Sequence, residues 1–114
     1  ISSGAAQTPY YGWAPYCVGK AAVEMFTRVT ALEYSEDPKV RVLSVAPGVV
    51  DTGMQATIRA TDERRFPNRE KFIQLKESGK LYTPAHAARL VLRAADDETI
   101  ASGESVDVRS HYRQ

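Results

Sequence analysis

Between Tyr16 and Gly48 the apolar pattern of the chain switches from a helical to an extended period, and that switch limits the possible architectures more than any other feature. From about Tyr16 to Tyr34, Ala22, Met25, Phe26, Val29 and Leu32 recur at three- and four-residue steps, which predicts a helix with a continuous apolar face. Ser35-Glu36-Asp37-Pro38 ends it, because the position before proline is biased away from helix. Val40-Arg41-Val42-Leu43-Ser44-Val45 is rich in β-branched residues and closes on Pro47-Gly48, so it reads as a strand with a turn behind it. On the other side, Ile1-Ser2-Ser3 reads as the end of an earlier strand. Gly4 to Pro15, with Pro9, Gly12 and Pro15 among aromatics, reads as the loop leaving it, its wall lined by Tyr10, Tyr11 and Trp13. Strand, helix and strand in this order predict a parallel unit with a right-handed crossover. Ser3 and Pro47-Gly48 then share the carboxyl edge of the sheet, where ligands bind in open α/β folds.

The remainder extends the same pattern. From Asp51 to about Lys80 the chain is charged and irregular, with short helical pieces near Met54 to Ala60 and Arg69 to Glu77. A segment of this kind behind the turn also suits a mobile lid over substrate. Its basic residues Arg59, Arg64, Arg65, Arg69 and Lys71 are read as a solvated face. Thr83-Pro84 supplies an N-cap and a first-turn proline for a helix running to about Ala95. Ser102-Gly103 then turns the chain into a last strand, Glu104 to Val108. Acids and bases nearly balance at a net charge of +1, which gives no electrostatic case for nucleic acid or an anionic membrane as partner. No apolar run approaches the ~20 residues of a membrane span. Cys17 is the single cysteine, so no intrachain disulfide is possible, and a small packed residue is its expected role over a reactive thiol. His86 and His111 have no cysteine or acidic partner at metal-ligand spacing, and no metal site is expected.

The chemistry centres on Tyr16 and Lys20, four residues apart and therefore on one helix face, with Ser3 thirteen residues upstream of the tyrosine. A free phenol titrates near ~10, too weak an acid for chemistry at neutral pH, and a neighbouring cation favours its ionised form. A phenol so assisted is a usable general acid or base. Pro47 and Gly48 let the backbone turn sharply and approach a ligand closely.

The segment Ile1-Ser2-Ser3-Gly4-Ala5-Ala6, the spacing to Tyr16-Cys17-Val18-Gly19-Lys20, and Ala46-Pro47-Gly48-Val49-Val50-Asp51-Thr52 together resemble the short-chain dehydrogenase/reductase family. Within it the likeness is greatest to the sepiapterin reductase and bacterial benzil reductase branches. The resemblance implies a Rossmann-like doubly wound parallel α/β sheet with flanking helices. It also implies NADPH-dependent reduction of a carbonyl, a small dicarbonyl or pterin-like ketone, to an alcohol. Tyr16 would donate the proton and Ser3 would polarise the carbonyl. Lys20 would support the phenol and bond the nicotinamide ribose. Together with Tyr16 and Lys20, the residues implied to hold the cofactor are Pro47, Gly48, Val50, Asp51, Thr52, Gly53, Met54 and Gln55. Those implied to meet substrate are Ser3, Gly4, Gly48 and Asp107. NADP is the expected cofactor, with NAD not excluded, and a cytoplasmic homodimer or higher homo-oligomer the expected form.

No G-x-G-x-x-G occurs, and Ile1-Ser2-Ser3 reads as a strand whose beginning is absent. Residues 1–114 are therefore expected to form the C-terminal portion of a single domain, without its N-terminal cofactor-binding half. A non-catalytic nucleotide-binding sensor or scaffold of the same fold and a nucleotide-sugar epimerase relative are the alternative readings.

Overall fold

The computed structural model describes residues 1–112. A 3-10 turn at Gly4–Ala6 leads into α1 (Ala14–Glu33), then β1 (Ser44–Ala46), α2 (Gly53–Ala60), α3 (Arg69–Glu77), α4 (Pro84–Asp96), β2 (Ser105–Asp107) and a short α5 (Val108–His111). The fold is mixed α/β, with β1 and β2 parallel and Ser44, Val45 and Ala46 opposite Ser105, Val106 and Asp107. Residues 1–3 lie on the other side of β1, where the Ser2 amide donates to the Val45 carbonyl at 2.9 Å. The expected strand from Val40 is shorter in the structure, because its first residues meet a turn: Val42 bonds Ser102 Oγ and the Gly103 amide. Ladder pairing starts only where the Ser44 amide reaches the Glu104 carbonyl.

Helix α1 begins at Ala14, two residues ahead of the expected start, with Pro15 in its first turn, where a missing N–H goes unneeded. It packs on the sheet through small residues. Thr27 is buried and shares a 2.8 Å hydrogen bond with Ser44, and Ala31 lies against Gly103. A Cβ at Gly103 would come within 3.2 Å of the Ala31 methyl, and its φ of +92° is one that side chains rarely adopt. The apolar stripe read from the sequence faces the opposite way, with Phe26 69% and Leu32 74% exposed and Ala22, Met25 and Val29 also outside. Periodicity located that stripe correctly but not what it faces.

Two apolar clusters hold the remainder. Val45, Leu90, Ala94, Ile100 and Val108 form the first, which α4 joins through Leu90 and Ala94, four residues apart on one face. Helix α4 starts as expected, with Thr83 Oγ1 accepting from the His86 amide at 3.2 Å and Pro84 in first place. The second cluster, Ile58, Phe66 and Phe72, is packed by Tyr10, Trp13, Val49 and Leu75. It therefore binds the α2–α3 segment to the loop preceding α1. No helix among the described residues is long and apolar enough to cross a membrane.

Candidate active site

The carboxyl ends of residues 1–3 and β1, the start of α1 and the α2–α3 segment surround a cleft of about 580 Å3. That volume lies in the usual range for small-molecule sites. Ser3, Gly4, Tyr16, Lys20, Pro47, Gly48, Val50, Thr52, Met54 and Gln55 all line it.

Ser3 has extended backbone and caps the 3-10 turn, its Oγ accepting from the Ala5 amide at 3.2 Å. Among the described residues that hydroxyl donates to no protein acceptor, which leaves its hydrogen for a group in the cleft. Neighbouring Ser2 differs: it is 2% exposed and donates to Glu24 Oε1 at 2.7 Å. Tyr16, in the first turn of α1, meets Trp13 edge to face at 5.5 Å between centroids. Its hydroxyl has no protein partner among the described residues. Lys20 follows one turn later, with its ammonium 5.8 Å from the Tyr16 ring centre and donating to the Ile1 carbonyl at 3.0 Å. The lysine thus joins the strand that carries Ser3 to the helix that carries Tyr16.

On the facing wall the backbone turns at Gly48, whose φ is +84°. A Cβ there would come within 3.0 Å of the Tyr82 ring and 3.3 Å of Arg109 Cδ, so only glycine leaves this wall undisturbed. The following segment is fixed by a bridge to Tyr82, with the Tyr82 amide donating to Val49 and the Asp51 amide to Tyr82, both at 2.9 Å.

Three of the expected site residues do not line the cleft. The Asp51 carboxylate is held by Lys76 and, at 3.8 Å, by Arg59, and the Lys76 hydrogen bond lowers its pKa. Gly53 is the first residue of α2. Asp107 ends β2, caps α5 by accepting from the Arg109 amide at 2.9 Å, and grips the Arg109 guanidinium through both oxygens. Burial raises the Asp107 pKa, but the Arg109 bonds and charge outweigh it and leave a lowered value.

Several wall residues were absent from the sequence-derived site. Arg109 carried no signal, since an arginine behind a terminal strand reads as exposed. Tyr10 and Trp13 line the cleft as the loop reading placed them, while Tyr11 is 70% exposed. The basic cluster is not a uniform solvated face. Lys71 donates to the Tyr10 hydroxyl at 3.1 Å and lines the cleft, Arg69 bonds the Thr61 carbonyl, and the Arg59 side chain is only 20% exposed. Of these, Arg64 fits the expectation, at 90% exposed.

A second, apolar pocket of about 270 Å3 adjoins the cleft and shares Trp13, Tyr16 and Met54 with it, with Ile58, Thr61 and Phe66 behind. Trp13 stacks on Phe66 at 4.7 Å and 11°. An engineered apolar cavity of about 150 Å3 holds benzene, so this pocket has room for a substituted aromatic ring beside Tyr16.

A sequence model described as short chain dehydrogenase matches residues 1–63. The chain is 45% identical over 109 residues to benzil reductase ((S)-benzoin forming) of Bacillus cereus, covering 95% of this chain and 44% of that protein. It is 43% identical over 108 residues to sepiapterin reductase of Mus musculus, covering 94% and 40%. Among solved structures, the KRED1-Pglu enzyme superposes with a TM-score of 0.76 at 34% identity, covering 93% of this chain and 45% of that one. The chain spans less than half the length of these relatives. A parallel α/β unit, a cleft at its carboxyl edge holding serine, tyrosine and lysine, and these likenesses together establish that the chain belongs to the short chain dehydrogenase family.

Proposed function

We propose that this chain is the C-terminal portion of a single Rossmann-like domain that reduces a ketone or 1,2-diketone to an alcohol with NADPH. The observation that carries this reading is the convergence of Ser3, Tyr16 and Lys20 on one cleft, with two hydroxyls there free of protein acceptors among the described residues. Reduction of a carbonyl leaves negative charge on its oxygen, which needs a proton. The Tyr16 hydroxyl supplies it, while the Ser3 hydroxyl donates a hydrogen bond that holds the same oxygen. The Lys20 ammonium adds positive charge beside the phenol.

The facing wall fits the nicotinamide end of such a cofactor. Gln55 is 4% exposed and its amide oxygen has no donor among the described residues, so a carboxamide N–H would satisfy it. Pro47, Gly48, Val50, Thr52 and Met54 complete that wall, while Asp51 and Gly53 lie outside it. When bound, the cofactor supplies the hydride. The preference for NADPH over NADH rests on the resemblance to the reductases.

Substrate is proposed to meet Ser3, Gly4 and Gly48, with an aryl group in the pocket of Trp13, Tyr16 and Phe66. Relatives named for benzil support this choice. A pterin anchored by Asp107 is the second possibility, supported by relatives named for sepiapterin, but Arg109 must first release that carboxylate. The exposed stripe of α1 supports a homo-oligomer, and the enzyme is proposed to be cytoplasmic.

The test follows NADPH and NADH oxidation by the native polypeptide containing this sequence, with benzil, 2,3-butanedione, sepiapterin and benzaldehyde as substrates. Turnover with a diketone is expected. Cofactor binding without turnover of any carbonyl would replace this reading with that of a nucleotide-binding sensor.

A further inference from the structure

We propose that Glu24 is a positioning residue that sets the Ser3 hydroxyl against the Tyr16 phenol, a role that rests on the carbonyl reductase reading above. Tyr16, Lys20 and Glu24 stand at four-residue steps on α1 and so share a face. Glu24 uses that face to connect three separate pieces of backbone. Its Oε1 accepts from Ser2 Oγ and from Ser105 Oγ, each at 2.7 Å, and its Oε2 accepts from Gln7 Nε2 at 3.3 Å. Ser2 is the residue immediately before Ser3, Gln7 directly follows the turn that Ser3 caps, and Ser105 opens β2.

Ser3 is thereby located through its neighbours. On its N-terminal side, Ser2 is tied to β1 through its amide and to α1 through its hydroxyl. One residue earlier, the Ile1 carbonyl is tied to Lys20. The bonds of Ser3 itself stay within its own turn, its Oγ accepting from the Ala5 amide and its carbonyl from the Ala6 amide, and they fix its rotation but not its distance from α1. That distance is set by Lys20 and Glu24, and Glu24 is the one that also reaches β2. Burial raises the Glu24 pKa, yet the bonds from Ser105, Ser2 and Gln7 and the charge of Arg28 outweigh it, so the carboxylate stays ionised at neutral pH.

With alanine at this position, the buried Ser2 hydroxyl loses its acceptor and the strand end loses one of its two links to α1. Misplacing a reacting group by about 1 Å costs up to about 10²-fold, so Glu24→Ala is expected to lower kcat by about 10- to 100-fold. Cofactor affinity should change little, because no Glu24 contact reaches the facing wall. Glu24→Gln retains an oxygen for Ser2 and Ser105 and should recover most of the loss.

The decisive experiment is a double-mutant cycle in the native polypeptide, reading kcat, KM and cofactor Kd for wild type, Glu24→Ala, Ser3→Ala and the pair. If Glu24 acts through Ser3, Glu24→Ala adds less than about threefold once Ser3 is alanine. Additive losses, or an unchanged kcat in Glu24→Ala, overturn the proposal. Should Glu24→Ala not fold, Ser2→Ala enters the same cycle, and additivity there overturns it equally. Normal turnover in Tyr16→Phe would instead remove the reading of the whole site, a failure distinct from additivity in this cycle.

Discussion

Gly48→Ala tests the cleft wall, because the same substitution at Gly19 should have the opposite effect. At Gly48 the φ of +84° is reserved for glycine, and holding an alanine there costs about 1–2 kcal/mol. The added methyl would lie 3.0 Å from Tyr82 Cδ2 and Cε2 and 3.3 Å from Arg109 Cδ. Neither neighbour can move freely. Tyr82 is fixed by its bridge to Val49 and Asp51 and by His86 against its ring at 4.8 Å, and Arg109 is clamped by Asp107. Overpacking against such groups adds about 1–3 kcal/mol, for a total of about 2–5 kcal/mol. Gly19 lies within α1, where an added methyl would meet nothing within 4 Å, so alanine there should stabilise by about 1 kcal/mol. The assay is urea unfolding of both variants beside the parent. With slopes of about 1–3 kcal/mol per molar, the Gly48→Ala midpoint should fall by at least about 0.7 M and the Gly19→Ala midpoint should rise. Equal midpoints for Gly48→Ala and the parent would refute the turn geometry and with it the placement of the cofactor wall.

Two further outcomes follow from particular contacts. Trp13→Leu removes a stacked partner of Phe66 and a wall of the apolar pocket, each aromatic pair being worth about 0.5–1.5 kcal/mol. The KM for benzil should rise by about 3- to 10-fold while that for 2,3-butanedione stays nearly constant, and parallel changes would argue against an aryl subsite. Asp97, bonded by Thr99, then Tyr112 and His111, has a carboxyl held far below its usual range. A depressed folded-state pKa gives stability that is complete above the unfolded value near ~3.9 and is lost as pH falls toward the folded value. Asp97→Asn should therefore lower Tm at pH 7 and have a shrinking effect below about pH 4, and a difference that persists unchanged at pH 3 would contradict this.

What the sequence conveyed, and what it did not, divides by distance along the chain. The Thr83 cap, the helix through Tyr16 and Lys20 and the turn at Pro47-Gly48 depend on neighbours within a few residues, and local rules describe them. The placement of residues 1–3 beside β1 was also legible, because a strand, helix and strand in order leave few alternatives, whereas the pairing of β1 with β2 was not read from the sequence. The contacts that shape the cleft are of another kind. Lys71 bonds Tyr10 across 61 positions and Ser105 bonds Glu24 across 81, and no local pattern reports either. Asp107 shows a different limit. Its place at the end of a strand was readable, but its grip on Arg109, only two residues on, requires the chain to turn from β2 straight into α5, where the sequence reading continued the strand through Val108. The α1 stripe was found by period, whereas the buried side of that helix is made of Thr27 and Ala31, too small to register as apolar signal.

The most direct measurement of the central claim is the turnover of Tyr16→Phe with NADPH and a diketone, beside its cofactor affinity. The substitution removes one oxygen and keeps the ring against Trp13. If the phenol supplies the proton, kcat falls by at least about 10²-fold while cofactor binding is retained. A variant that turns over at near the parent rate would show that the proton comes from elsewhere, and the assignment of this cleft as the site of carbonyl reduction would be wrong.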